Sequence, residues 1–125
     1  MQHWINKFRC ASRGLLLGVR GQSSFAVHFA IAAAVIVVAV LLRCELWQWC
    51  TLLLCIALVL GLEYINSAIE SLAKGLCATQ NEQVGAALDI ASAAVLTASI
   101  IAVAIGGLIF VNQFLRLWTL YSSPV

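Results

Sequence analysis

Three long apolar windows, sparse charge and short polar connections predict an all-α membrane protein, with an N-terminal interfacial amphipathic helix followed by three transmembrane helices. The 125 residues are 63% hydrophobic and 10% charged, with a mean hydropathy of +1.03. Soluble domains carry about 25% charged residues, so this chain has too little polar surface to coat a core in water. The windows Phe25–Leu42, Leu46–Ile65 and Ala86–Phe114 are each long enough to cross a hydrocarbon layer about 30 Å thick.

Residues 1–22 come first. Taken as a helix, Trp4, Phe8, Ala11, Leu15 and Val19 share one face while Arg9, Arg13 and Arg20 share a neighbouring one, the pattern of a helix lying in the membrane interface. A simple basic flank to the first span is the other reading of the same charges. The basic residues spread as far as Arg20 and the apolar run that follows is of full spanning length, so a cleavable signal peptide is not expected. Residues 25–42 form the first predicted span, and Arg43-Cys44-Glu45 turn the chain. Residues 46–65 form the second span, with a polar extension to about residue 76. A polar stretch around Lys74 to Gln83 leads to the third span at 86–114, in which Gly106-Gly107 reads as a point of close helix packing. The whole chain, 1–125, reads as one membrane domain.

Lys7, Arg9, Arg13, Arg20 and, after two crossings, Lys74 lie on one side, against Arg43 and Arg116 on the other. Cationic connections stay in the cytoplasm, which places the N-terminus and the second connection there. The five cysteines form no CxxC pair and have no neighbouring His at ligand spacing, so they read as small packing residues. A net charge of +2 is too small for a nucleic-acid binder. Neither G-x-x-x-x-G-K-[ST] nor G-x-G-x-x-G occurs, which excludes the familiar soluble phosphate loops.

The chemistry-bearing signal is the segment from Val59 to Gly75. At about 100° per residue, Glu63, Asn66, Ser67, Glu70 and Lys74 fall within an arc of roughly 100°, facing one neighbour or cavity. An ionisable residue in hydrocarbon costs about 2.5–3.5 kcal/mol on insertion scales. A helix that simply emerges into water accounts for Glu70 and Lys74 but not for the deeper Glu63. The two carboxylates lie roughly 10 Å apart along the axis, a spacing that suits divided roles: one takes a proton, the other holds a cation. Phosphoryl transfer has that requirement, since it needs charge neutralisation, positioning and a base near the attacking hydroxyl. A proton-coupled transporter would also want membrane carboxylates. On the third helix Asp89 and Ser92 share a face, with Gly85 just before them. Gly85 permits close approach of a nucleotide or merely ends a loop, and Asp89 near a helix start is also a favourable dipole partner.

The octapeptide Glu63-Tyr64-Ile65-Asn66-Ser67-Ala68-Ile69-Glu70 resembles the signature E-x-x-N-[ST]-A-[IL]-E of the prokaryotic diacylglycerol kinase family, which includes undecaprenol kinases. Phe8, Ala11 and Gly14 are similar to its F-x-x-A-x-x-G lead, and Gln22, Phe25 and His28 to the E/Q-x-x-F-x-x-H opening of its first span. Asp89, Ala91, Ser92, Ala94 and Val95 are similar to its K-D-x-[AG]-[AS]-x-A-V start of the third. The resemblance implies phosphorylation of a membrane lipid alcohol, diacylglycerol by first choice and undecaprenol as the alternative, with ATP as co-substrate and Mg²⁺ as cofactor. It also implies a homotrimer in the inner (cytoplasmic) membrane, with the lipid bilayer and the lipid alcohol as partners and no nucleic acid. Carried over residue by residue, Glu63 is the base and Asn66 orients the site. Glu70 and Gln22 face the metal, and Gly85, Asp89 and Lys74 lie on the nucleotide side. Three positions depart from the pattern: Gln22 replaces a metal-binding Glu, Leu88 a phosphate-directed Lys, and Lys74 a commonly acidic residue. Lys74 either supplies the positive charge missing at Leu88 or is solvated. A non-catalytic member of the same fold that keeps the acidic face for ion or lipid binding is the competing expectation.

Overall fold

In the computed structural model the chain forms four helices: α1 (Gln2–Val19), α2 (Ser23–Leu41), α3 (Leu46–Leu76) and α4 (Glu82–Ser122). The structure describes residues 2–19, 23–76, 79 and 81–122, so Gln22, Arg20 and Cys77 lie outside the described residues. Three helices, α2, α3 and α4, are long and apolar enough to cross a membrane. At 1.5 Å per residue, α3 with its 31 residues is about 46 Å long and α4 with its 41 about 61 Å. Both therefore overrun a 30 Å hydrocarbon layer and carry their ends into polar surroundings.

Local chemistry sets the helix ends. The α2 terminus closes as a Schellman turn, with Cys44 N donating to Ala39 O at 3.0 Å and Arg43 N to Val40 O at 3.0 Å. Arg43 takes the left-handed position of that turn, with φ of 50°, where glycine is usual. Across the turn the backbone N–H of Glu45 donates to Gln48 Oε1 at 2.7 Å, the backward half of a capping box for α3. The start of α4 is capped by Asn81, whose Oδ1 accepts from Gln83 N at 3.0 Å and Val84 N at 3.3 Å. Gly106-Gly107 does not interrupt α4, which is continuous from Glu82 to Ser122.

α3 and α4 run antiparallel and make the main contact, with α2 laid against both and α1 touching α3. Ala39, Leu52 and Ile109 form the buried core, flanked by Val35, Trp49, Ile105 and Phe110. Gly106 faces Leu52, where an added Cβ would sit at an ordinary 3.8 Å, and Gly107 has open space around it. The close packing expected at this pair is thus not sterically required within the chain. Beside the core, at the α2–α3 turn, Gln48 and Gln113 are buried side by side. Gln48 Nε2 donates to Gln113 Oε1 at 3.2 Å, and Gln113 Nε2 donates to the carbonyls of Leu42 at 3.1 Å and Arg43 at 3.2 Å. This network ties the far end of α4 to the α2–α3 turn, and Arg116 paired with Glu45 continues it to the surface.

Every described residue of α1 except Gly18 is exposed, so its apolar face is free for the interface. It is held to α3 at one place. Tyr64 lays its ring over Gly18, where an added Cβ would meet Tyr64 Cε1 at 2.6 Å. The same ring packs against buried Phe25 with centroids 4.6 Å apart, and the Tyr64 hydroxyl donates to Leu15 O at 3.5 Å.

Candidate functional site

The polar face of α3 is graded from buried to open. Glu63 is 2% exposed, Asn66 and Ser67 are buried, Glu70 is half-buried and Lys74 is exposed. α2 covers the deep end of this face, where His28 lies against Glu63, while the last turns of α3 lead into the α3–α4 connection.

Glu63 meets one partner across the helix boundary, His28 of α2, whose Nε2 lies 3.9 Å from Glu63 Oε2. The other oxygen, Oε1, is buried without a hydrogen-bond partner, as is Oδ1 of Asn66. Nearly all buried polar atoms in folded proteins are partnered, so two orphaned acceptors one helical turn apart mark a place where donors or cations are expected to arrive. Asn66 Nδ2 donates to Glu70 Oε1 over a long 3.5 Å, and Lys74 Nζ stands 3.8 Å from Glu70 Oε2. Asn66 therefore contacts the outer carboxylate from the turn after Glu63, and Lys74 sits over that same carboxylate.

A cavity of about 340 Å³ opens between α2, α3 and α4, its walls including His28, the partner of Glu63, with Val59, Leu60, Ser99 and Phe110. It is almost wholly apolar apart from His28 at one end and Ser99 Oγ, which is buried without a partner. An apolar slot with a few convergent polar groups is the usual form of a small-molecule or lipid site.

The structure thus gathers Glu63, Asn66, Glu70 and Lys74 on one face and adds His28. It does not join the α4 residues to them: Asp89 is exposed, Gly85 is half-buried with open space where a Cβ would sit, and among the described residues no hydrogen bond or ion pair links Asp89 to the α3 cluster. Leu88 is half-buried on the same turn. Sequence reasoning named His28 as part of the opening of the first span and did not pair it to Glu63. Ser99 escaped notice, its only signal being a lone hydroxyl in an apolar run.

Three membrane-length helices enclosing a buried acidic face and an apolar slot define a polytopic α-helical membrane protein equipped for chemistry at the edge of the bilayer. The family model for prokaryotic diacylglycerol kinase matches residues 9–110, and the chain belongs to that family. It is a membrane lipid kinase, and its chemistry requires a phosphoryl donor. Similar proteins include an undecaprenol kinase of Bacillus subtilis, 30% identical over 113 residues that cover 90% of this chain and 92% of that protein. A diacylglycerol kinase of Synechocystis is 35% identical over 111 residues, covering 88% of this chain and 63% of that protein. No solved structure gives a significant match.

Proposed function

We propose that this protein transfers the γ-phosphoryl group of ATP to the hydroxyl of diacylglycerol, giving phosphatidic acid, with Glu63 as the base. The observation that carries the reading is Glu63 itself, a carboxylate 2% exposed with one oxygen unpartnered, beside His28, which lines an apolar slot. A lipid lying in the slot can bring its hydroxyl to Glu63 while its chains stay among apolar side chains. Glu63 takes the hydroxyl proton as the oxygen bonds to the γ-phosphorus, the bond from that phosphorus to its bridging oxygen breaks, and ADP leaves.

Asn66 orients the site between the two carboxylates, and Glu70 faces the phosphates. Among the described residues no group of three or more His, Cys, Asp or Glu side chains could hold a metal by itself. Magnesium takes one or two carboxylates plus substrate phosphates and water, and Glu70 with the orphaned Asn66 Oδ1 fits such an oxygen set. When bound, the ion supplies charge neutralisation on the phosphates. Gln22 is a further candidate ligand through its carbonyl. Gly85 and Asp89 are proposed for the nucleotide side, with Lys74 contributing positive charge near Glu70.

The cationic bias of the N-terminal segment and of Lys74 supports a cytoplasmic N-terminus in the inner membrane. The homotrimer rests on the family resemblance, and the 17–28% burial of the spanning windows leaves apolar surface for lipid and neighbouring subunits to cover. The undecaprenol alternative rests on the Bacillus relative, whose match extends over nearly its whole length.

Purified protein given limiting labelled ATP, Mg²⁺ and equal surface concentrations of diacylglycerol and undecaprenol tests the assignment directly. Label in phosphatidic acid is the expected result, and label confined to polyprenyl phosphate reverses the substrate. No label in either lipid from intact protein supports the non-catalytic reading. Glu63→Gln should abolish turnover and leave ATP binding intact; near-normal turnover removes Glu63 from the role of base.

A further inference from the structure

We infer that His28 is the positioning residue of Glu63: it holds the carboxylate toward the substrate and receives the proton that Glu63 collects in each turnover. The inference rests on the reading of Glu63 as the base.

A base that is regenerated must pass its proton on, and Glu63 is poorly placed to do so alone. Its side chain is 3% exposed, and Oε1 touches no donor or acceptor. The His28 imidazole is the protonatable group beside it, 3.9 Å away and 19% exposed, and it lines the adjoining cavity. The other titratable groups on the surrounding elements lie farther off or face elsewhere. On α3, Glu70 is two turns toward the polar end, Cys55 is about two turns deeper, and the Tyr64 hydroxyl is turned to Leu15 O. On α4 no ionisable residue occurs between Asp89 and Arg116, and α2 has none besides His28. On α1, Arg9 and Arg13 are exposed and permanently charged.

The gap of 3.9 Å exceeds hydrogen-bond length, about 2.7–3.2 Å, so the contact is open in the resting protein and closes with a shift of about 1 Å or less, as catalytic contacts commonly do when substrate binds. The proton then moves from Glu63 to His28 Nε2. The resulting imidazolium pairs with the restored carboxylate and releases its proton at the more exposed end of the pair.

The test uses the full chain in mixed micelles with saturating ATP and lipid alcohol, comparing wild type with His28→Gln, His28→Asn and His28→Ala. Gln and Asn keep a hydrogen-bonding amide but cannot take a proton. Their kcat should fall about tenfold or more, while KM for ATP and for the lipid stays within about twofold. The acid limb of the kcat–pH profile should move in both variants, and added imidazole should restore part of the kcat of His28→Ala. Any one of three results overturns the inference: unchanged kcat and pH profile, a loss confined to KM, or a fall in kcat that neither moves the acid limb nor responds to imidazole. Glu63→Gln is run in parallel. If it stays active, the reading of Glu63 fails; if it is dead while the His28 variants match wild type, only the role given to His28 fails.

Discussion

Gln113→Leu should be among the most destabilising single changes outside the acidic face. The amide is 5% exposed and takes part in three hydrogen bonds: two donated to the carbonyls of Leu42 and Arg43, and one accepted from Gln48. Each such bond is worth about 1 kcal/mol net, and leaving the 1% exposed Gln48 amide without its acceptor adds about 1–3 kcal/mol. The leucine recovers roughly 1 kcal/mol by apolar burial, so a net loss of about 3–5 kcal/mol is expected. Gln48→Leu removes the bond to Gln113 and the cap on Glu45 N–H, for about 2 kcal/mol. The double variant leaves no orphaned side-chain amide and loses the shared bond only once, so it should cost about 2–4 kcal/mol less than the sum of the singles. Unfolding by increasing SDS mole fraction in mixed micelles, followed by tryptophan emission, reads all three, with Trp49 beside the core as a local reporter. A cost below about 1 kcal/mol for Gln113→Leu, or strict additivity in the double variant, would refute the claim that the buried amides act as one unit.

Three further outcomes are expected. Glu70→Gln should raise the Mg²⁺ concentration needed for half-maximal activity several-fold, measured by metal titration at fixed ATP; an unchanged curve puts the metal elsewhere. Arg43→Gly should stabilise the protein by about 1 kcal/mol in the same SDS titration, because glycine carries no penalty at the left-handed position of the α2 turn. Glu45 is held below its ordinary value of 4.5 by the hydrogen bond from Trp47 Nε1 and by paired Arg116. Its contribution is therefore present above pH 4.5 and disappears as pH falls through the lower folded value, so stability curves of wild type and Glu45→Gln should converge on acidification from that point. Curves that stay parallel below it would remove the pairing from the stability of the turn.

The membrane class, the spans and the acidic face of α3 were legible because each is periodic or cumulative along the chain. Hydropathy adds up over a window, and Glu63, Asn66, Ser67 and Glu70 align by helical geometry alone. What stayed hidden depends on register between helices. Gln48 and Gln113 each look like a polar residue near a span end, and only the antiparallel alignment of α3 and α4 reveals a buried pair. His28 and Glu63 likewise meet because of where α2 lies on α3. The packing read into Gly106-Gly107 divides for the same reason: buried Gly106 meets Leu52 at ordinary distance, while Gly107 has open space around it.

The contact between Gly18 and Tyr64 joins two positions into one steric unit, because the ring occupies the space that a side chain at position 18 would need. A methyl group there evicts the ring from its place against Phe25, and Tyr64 follows Glu63 directly on the same helix turn. Volume at these two sites can therefore be exchanged but not increased. Through a residue that has no side chain of its own, the surface helix thus bears directly on the turn of α3 that carries Glu63.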